Sequence, residues 1–266
     1  METMRLTEKK KSSKGVVIGL FLFFVIGTAI LVFAIKTEEE PVTVGTSTDT
    51  QTQSLVDVEE IDKEALKEKN QNIEYSVKDN NITDTSNAKM KANMTLPVIS
   101  IDAKELTTIN QDINKYYTEM FASLKEEMAS ATSKYTYKVT YNVYDNMIEE
   151  NKIISVTIYE RIVDDSAKKN TMNKIKTYNI DAATKEQITQ SNDIALTLFG
   201  KEYKTVIRDA IKDYVVSNNM MNEEDFNYTY IGVKPFYIKD GEFHLIFNEG
   251  ELVDSKYGVL DITIKK

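Results

Sequence analysis

The chain has 266 residues, of which 41% are hydrophobic and 28% charged, with a net charge of −9, no cysteine, no tryptophan and one histidine. The missing cysteine excludes disulfides, thiolate metal sites and a cysteine nucleophile. The acidic balance argues against a nucleic-acid partner and for cationic ones.

The charge is unevenly distributed. Residues 1–36 carry +4 (Arg5, Lys9, Lys10, Lys11, Lys14 and Lys36 against Glu2 and Glu8), which leaves −13 for residues 37–266 once +4 is subtracted from −9. Gly15 to Ile35 reads GVVIGLFLFFVIGTAILVFAI without a charge. As a helix it would extend roughly 31 Å, enough to cross a bilayer core. Lysines precede the segment, and Glu38, Glu39 and Glu40 follow Lys36. The positive-inside rule then predicts a cytoplasmic tail over 1–14, an uncleaved transmembrane helix over 15–35 and a C-terminal domain outside the cell membrane. An apolar core this long, with no clear small-residue cleavage site, does not read as a signal peptide. Few arginines (Arg5, Arg161 and Arg208) and many lysines and asparagines fit a low-GC genome. A cysteine-free exported domain points the same way, to a Gram-positive bacterium that does not rely on disulfides.

Residues 36–70 read as a stalk or linker, rich in Thr, Ser and Glu, with a short charged helix expected over Val56 to Lys69. Ala92 to Ile99 predicts a strand, with Pro97 placing it at an edge or strand end. Asp102 and Glu105 have the spacing of a capping box. They precede a helix whose face carries Leu106, Ile109, Ile113, Tyr117, Phe121 and Leu124. The period then changes to two. Tyr135, Tyr137, Val139, Tyr141 and Val143 alternate with polar residues, and so do Ile154, Val156 and Ile158, predicting a long hairpin with turn signals at Asp145-Asn146 and Glu149–Asn151. A strand is expected over Thr171 to Ile180 and a second helix over Tyr203 to Val215. Strands Val233 to Lys239 and Glu242 to Phe247 flank Asp240-Gly241, a pair suited to the positive φ angles of a type I′ turn. Val259 to Ile264 is the last expected strand. The order predicts an α+β fold, with antiparallel sheet packed by two main helices behind one N-terminal transmembrane helix.

The stretch Met94-Thr95-Leu96-Pro97-Val98-Ile99, with Asn110-Gln111-Asp112-Ile113-Asn114 after it, resembles the exported domain DUF4163. The stretches Thr177–Asp181, Phe236-Tyr237-Ile238 and Phe243–Asn248 resemble DUF3298. Together they imply an α+β half over 71–190 and another over 191–266. They also imply kinship with RsiV-like anti-sigma factor ectodomains and with the non-catalytic region of some polysaccharide deacetylases. The family's Pro-Tyr and Ala-Pro pairs after Phe-Asn are absent, and Phe247-Asn248 leads instead to Glu249-Gly250-Glu251-Leu252-Val253-Asp254-Ser255. The 14 residues before the membrane segment are too few to clamp a sigma factor, so an RsiV-like regulatory role would need a separate cytoplasmic partner.

No Gly-x-Ser-x-Gly elbow, phosphate loop or dinucleotide fingerprint is present. The Ser-x-x-Lys pairs Ser86/Lys89 and Ser166/Lys169 are the number that chance allows in so lysine-rich a chain. His244, between Phe243 and Leu245, is expected on the exposed face of a hairpin strand. Without a second histidine or a cysteine, no metal site or cofactor is expected. Tyr135, Tyr137 and Tyr141 read as core lining.

The sequence therefore predicts a membrane-anchored, non-catalytic binding or sensing protein of the cell envelope. A cationic, lysozyme-like protein or a cell-wall component is the expected partner. Glu249, Glu251, Asp254 and Tyr257 are the expected contacts. The alternative is an accessory protein that supports a cell-wall-processing enzyme. Oligomeric state is left open.

Overall fold

The computed structural model describes residues 62–265. The expected cytoplasmic tail, transmembrane helix and most of the stalk lie outside the described residues. Among the described residues no helix is long and apolar enough to cross a membrane. The elements run α1 (Lys63–Gln71), β1 (Tyr75–Asp84), β2 (Met90–Ile101), β3 (Lys104–Glu105), α2 (Thr107–Glu127), β4 (Tyr135–Ile148), β5 (Asn151–Asp164), β6 (Lys169–Asp181), β7 (Gln187–Ile188), α3 (Asn192–Phe199), α4 (Tyr203–Ser217), β8 (Phe236–Lys239), β9 (Glu242–Phe247) and β10 (Leu260–Ile264). The α+β class stands, with the short helices α1 and α3 beside the two main helices α2 and α4 among the described residues. The large sheet has the order β1-β2-β4-β5-β6-β7, with β3 also paired to β2, and a smaller sheet has the order β10-β9-β8. The large sheet is mixed: β2 and β4 run parallel over Met90–Met94 because α2 carries the chain back between them.

Helix α2 lays Ile109, Ile113, Tyr117, Phe121 and Leu124 on the sheet, as their three- and four-residue spacing requires. Its start differs from expectation. Asp102 and Ala103, at φ 49° and 59°, turn the chain into the short strand β3, and the N-cap is Leu106, with no side-chain cap. The anchoring is done by Asn110 instead. Its Oδ1 accepts from the Ile99 N–H at 2.9 Å and its Nδ2 donates to the Ile99 carbonyl at 3.0 Å. One amide side chain thus replaces a strand neighbour and pins the helix to β2.

Pro97 lies inside a 12-residue strand, not at its end. The ladder explains why it is tolerated. The Asp102 N–H donates to the Glu74 carbonyl, and the Ile99 N–H and carbonyl meet Asn110, so even-numbered residues of β2 face β1 and odd-numbered ones face away. Pro97 is odd-numbered, and β4 has already left β2 after Met94. Its missing N–H therefore costs no ladder bond. Strand β1, polar in sequence, pairs with β2 along its whole length and was not legible from periodicity.

The β4–β5 hairpin forms as expected and reverses at the second of its two expected turn signals, at Glu149 (φ 52°) and Glu150. Asp145 and Asn146 sit within the ladder opposite Ile154 and Ile153. Residues Ile153 to Ile158 are buried without a break, because both faces of β5 are covered. Ile154, Val156 and Ile158 join the core under α2, whereas Ile153 joins a second core. That second core holds Ile207, Ile211 and Val215 of α4, Ala195 of α3 and the inward residues of the small sheet, among them Phe236, Phe243 and Leu245. Asp240 (φ 53°) and Gly241 (φ 77°) make the expected turn between β8 and β9.

Strand β8 is an edge of the small sheet, and side chains of the large sheet complete it. The Ile238 N–H donates to Ser155 Oγ (3.0 Å), Asn179 Nδ2 to the Phe236 carbonyl (2.7 Å), Asn146 Nδ2 to the Ile238 carbonyl (3.0 Å), and the Gly241 N–H to Asn146 Oδ1 (2.9 Å). Ser155 also donates to Asn179 Oδ1 at 2.7 Å. All three side chains are buried. They supply what a missing strand would otherwise have to provide.

Candidate functional site

The loop between β9 and β10 carries the four residues expected to meet a partner. Its shape comes from internal bonds. Asn248 reaches across to β6, where its Oδ1 accepts from the Ile175 N–H at 2.7 Å. Glu251 Oε2 accepts from the Asn248 N–H and pairs with Lys234 Nζ, both at 3.0 Å. Asp254 caps the 3-10 turn Ser255–Tyr257 by accepting from the Lys256 N–H, and Tyr257 donates to the Asn219 carbonyl behind α4 at 3.0 Å. The structure thus gathers Glu249, Glu251, Asp254 and Tyr257 on one loop, with three of them holding it in shape. Glu249 is exposed and has no bonded partner among the described residues. Beside the loop, Lys176, Thr177, Ile188, Val233, Lys234 and Pro235 line a small cleft of about 190 Å³. Val233 and its neighbour Ile231 are among the few large apolar side chains left exposed.

His244 does lie opposite Phe243 and Leu245, but it is buried, with 8% of its surface exposed, and not an exposed strand residue. The face it occupies turns toward the large sheet. The imidazole stacks on Tyr237 with centroids 4.4 Å apart, and Tyr237 stacks in turn on Tyr144 of β4 at 5.4 Å. Asp261 Oδ1 lies 3.0 Å from His244 Nδ1, and its Oδ2 accepts from the Tyr237 hydroxyl at 2.6 Å. Thr263 Oγ1 is 3.4 Å from the same ring nitrogen. Asp261 thereby orients the ring, as an acid orients a catalytic histidine. The other nitrogen, Nε2, which would have to take a proton from a nucleophile, is buried and meets no polar partner. The arrangement ties β8, β9 and β10 to one another and to β4.

A second polar cluster escaped the sequence reading. Glu160, 1% exposed, sits on the α2 face of β5. It accepts from the Tyr137 hydroxyl at 2.8 Å and from Tyr116 at 3.4 Å. Tyr178 donates to Asp112 Oδ2 at 3.0 Å, and Lys176 Nζ lies 3.8 Å from the same oxygen and 3.9 Å above the Tyr116 ring. Burial raises the Glu160 carboxyl above the usual range, and the two tyrosine bonds only partly offset this. Burial likewise lowers Lys176, against the pull of Asp112 and Glu160. The phenols of Tyr116, Tyr117, Tyr137 and Tyr178 are all pushed up, first by burial and then by nearby acids. Three of them donate to Glu160 or Asp112, while the buried Tyr117 hydroxyl meets no partner among the described residues. The cluster buries Glu160 and Tyr137 at its centre, whereas its Asp112 and Lys176 reach the surface. Its signal was present in the alternation: Glu160 shares the phase of Ile154, Val156, Ile158 and Ile162, where only a partnered charge can stay.

Tyr137 is fully buried and Tyr135 and Tyr141 pack against the same core, so these rings line the interior. Ser86 Oγ donates to Asp84 and Lys89 Nζ to the Thr132 carbonyl, so that pair is not directed at itself. Among the described residues no three His, Asp or Glu side chains gather in a way that could hold a metal ion.

No protein-family model matches the sequence, and a comparison with curated proteins finds no match. Among solved structures the chain is similar to a DUF3298 family protein from Pseudomonas aeruginosa PAO1, with a TM-score of 0.45 and 12% identity over 72% of this chain and 90% of that one. It is also similar to a DUF3298 family member from Bacteroides fragilis, with a TM-score of 0.41 and 13% identity over 73% and 90% of the two chains.

Proposed function

We propose that this chain is a membrane-anchored, non-catalytic binding protein whose folded domain works outside the membrane of a Gram-positive cell. The observation that carries this reading is the uncharged segment from Gly15 to Ile35, lysine-flanked on its N-terminal side, ahead of an acidic folded domain. A span of this kind leaves the N-terminus in the cytoplasm and delivers the domain to the other side. Binding then falls to the β9–β10 loop. Glu251, Asp254 and Tyr257 brace it while Glu249 stays free, so the loop offers a pre-shaped acidic rim. A cationic protein, lysozyme-like in charge, or a basic wall component is the partner that such a rim selects.

The chain contains no cysteine, which makes the topology directly testable. In intact cells a membrane-impermeant maleimide should label Ser54→Cys, and it should reach Thr7→Cys only after lysis. Labelling of both or neither before lysis, or recovery of the chain in the soluble fraction, overturns the anchor. For the partner, the detergent-solubilised full chain should retain a basic lysozyme at low salt. Glu249→Lys should weaken that retention several-fold, and raised ionic strength should weaken it as well. Retention that ignores both changes removes the electrostatic rim from the proposal.

A further inference from the structure

The two outer edges of the large sheet are treated differently. At β6 the Ile175 N–H is capped by Asn248, β7 pairs with Asn179 and Ile180, and Lys168, Lys169, Lys174 and Lys176 crowd the strand. These are the usual devices that stop a sheet from adding another strand. At β1 none of them is present among the described residues. The strand runs ten residues with an unbroken register to β2, has no proline or glycine, and carries a single lysine, Lys78.

The ladder phase tells which groups are open. Because the Glu74 carbonyl accepts from Asp102, even-numbered residues of β1 turn their backbone groups toward β2. Tyr75, Val77, Asp79, Asn81 and Thr83 therefore turn their N–H and carbonyl groups outward, where none meets a protein partner among the described residues. An unprotected edge of this length is a template for one more strand.

We propose that the occupant is a second copy of this chain, its β1 antiparallel to the first about a two-fold axis at Asn81. Outward residues must face outward residues, which limits the registers. A two-fold at Asp79 sets two carboxylates against each other, and one at Lys78 sets two ammonium groups together. A two-fold at Asn81 sets Asn81 against its own mate, Asp79 against the second copy's Thr83, and Lys78 against the second copy's Asp84. This register pairs opposite charges twice and like charges never, and directly opposed residues of a strand pair share a face. The contact is isologous, so it closes at a dimer and leaves no growing edge.

The test uses the full chain in its membrane. Mild oxidation of Asn81→Cys should give a disulfide-linked dimer, since paired Cα atoms across an antiparallel ladder lie within disulfide reach. Lys169→Cys on the capped edge should give at least tenfold less. Adding Thr83→Pro removes one outward N–H without touching the β2 ladder, and should abolish the Asn81→Cys link while the melting curve still shows a folded domain. Should Thr83→Pro unfold the chain, Asn81→Lys, which opposes two charges, replaces it, and dimer loss is read in a chain carrying both Asp79→Cys and Thr83→Cys, whose thiols face each other across the two copies in this register. Equal linking at both edges, or linking that survives a folded Thr83→Pro, overturns the proposal. A link from Asn81→Cys to a different protein also overturns it, because the edge would then serve a foreign strand.

Discussion

A single acid sets the pH response of the main core. Glu160 holds its proton more tightly in the folded protein than the ordinary value of 4.5, because its charge would sit under α2 with two phenols for solvent. Folding therefore takes up a proton, and the stability tied to this group is present below pH 4.5 and is lost as pH rises from there through the raised folded value. Replacing it by glutamine keeps an acceptor for Tyr137 and removes the titration. We expect Glu160→Gln to melt higher than the parent near neutral pH and close to it at about pH 4. Parallel melting-temperature profiles for the two proteins across that range would sink this account. The same cluster shows why a buried charge in a strand is legible only as an anomaly. The alternation marks Glu160 as inward, while its partners Tyr116 and Lys176 come from α2 and β6, far along the chain.

At the scale of elements, the attachment of α2 depends on one side chain. Asn110 satisfies both backbone groups of Ile99, in a place where the expected capping box does not form because Asp102 and Ala103 are spent on a turn. Asn110→Ala leaves the Ile99 N–H without a partner, while the Ile99 carbonyl keeps the Leu106 N–H, a loss of roughly 1–3 kcal/mol. Urea unfolding should show a lower midpoint at unchanged slope, and an unaltered midpoint would mean that the apolar face alone holds the helix. Helix periodicity was sufficient to find α2 and α4, since each presents an apolar stripe over several turns. Periodicity failed for β1 and α3. The first is an edge strand of Asn, Asp and Thr, and the second has eight residues and one fully buried position.

Across the whole molecule, two apolar cores meet at a polar seam. Asn146, Ser155 and Asn179 satisfy the free edge of β8, and the Tyr144–Tyr237–His244 stack closes the same interface beside them. Removing Ser155 and Asn179 together by alanine should loosen the small sheet before the large one. Amide exchange should quicken over 236–247 while the β4–β5 ladder stays protected. Uniform quickening across both sheets would instead mean one indivisible core.

Local patterning was enough for the α+β class, the long β4–β5 hairpin, the Asp240-Gly241 turn and the two principal helices. Each rests on local periodicity or on a turn residue's φ preference, which neighbours along the chain can specify. Tertiary structure alone decided that β2 and β4 run parallel, that Pro97 sits unpunished inside a strand, and that His244 is buried against Tyr237 and Asp261. It likewise decided how Glu249, Glu251, Asp254 and Tyr257 divide between bracing the loop and facing outward. These features depend on which backbone group or side chain arrives from far along the chain, as Asn179 arrives at Phe236 from 57 residues away and Asn146 at Ile238 from 92. A hydrogen-bond partner at that separation leaves no period in the sequence, because it is chosen by the packing of sheets and not by the repeat of a strand or a helix.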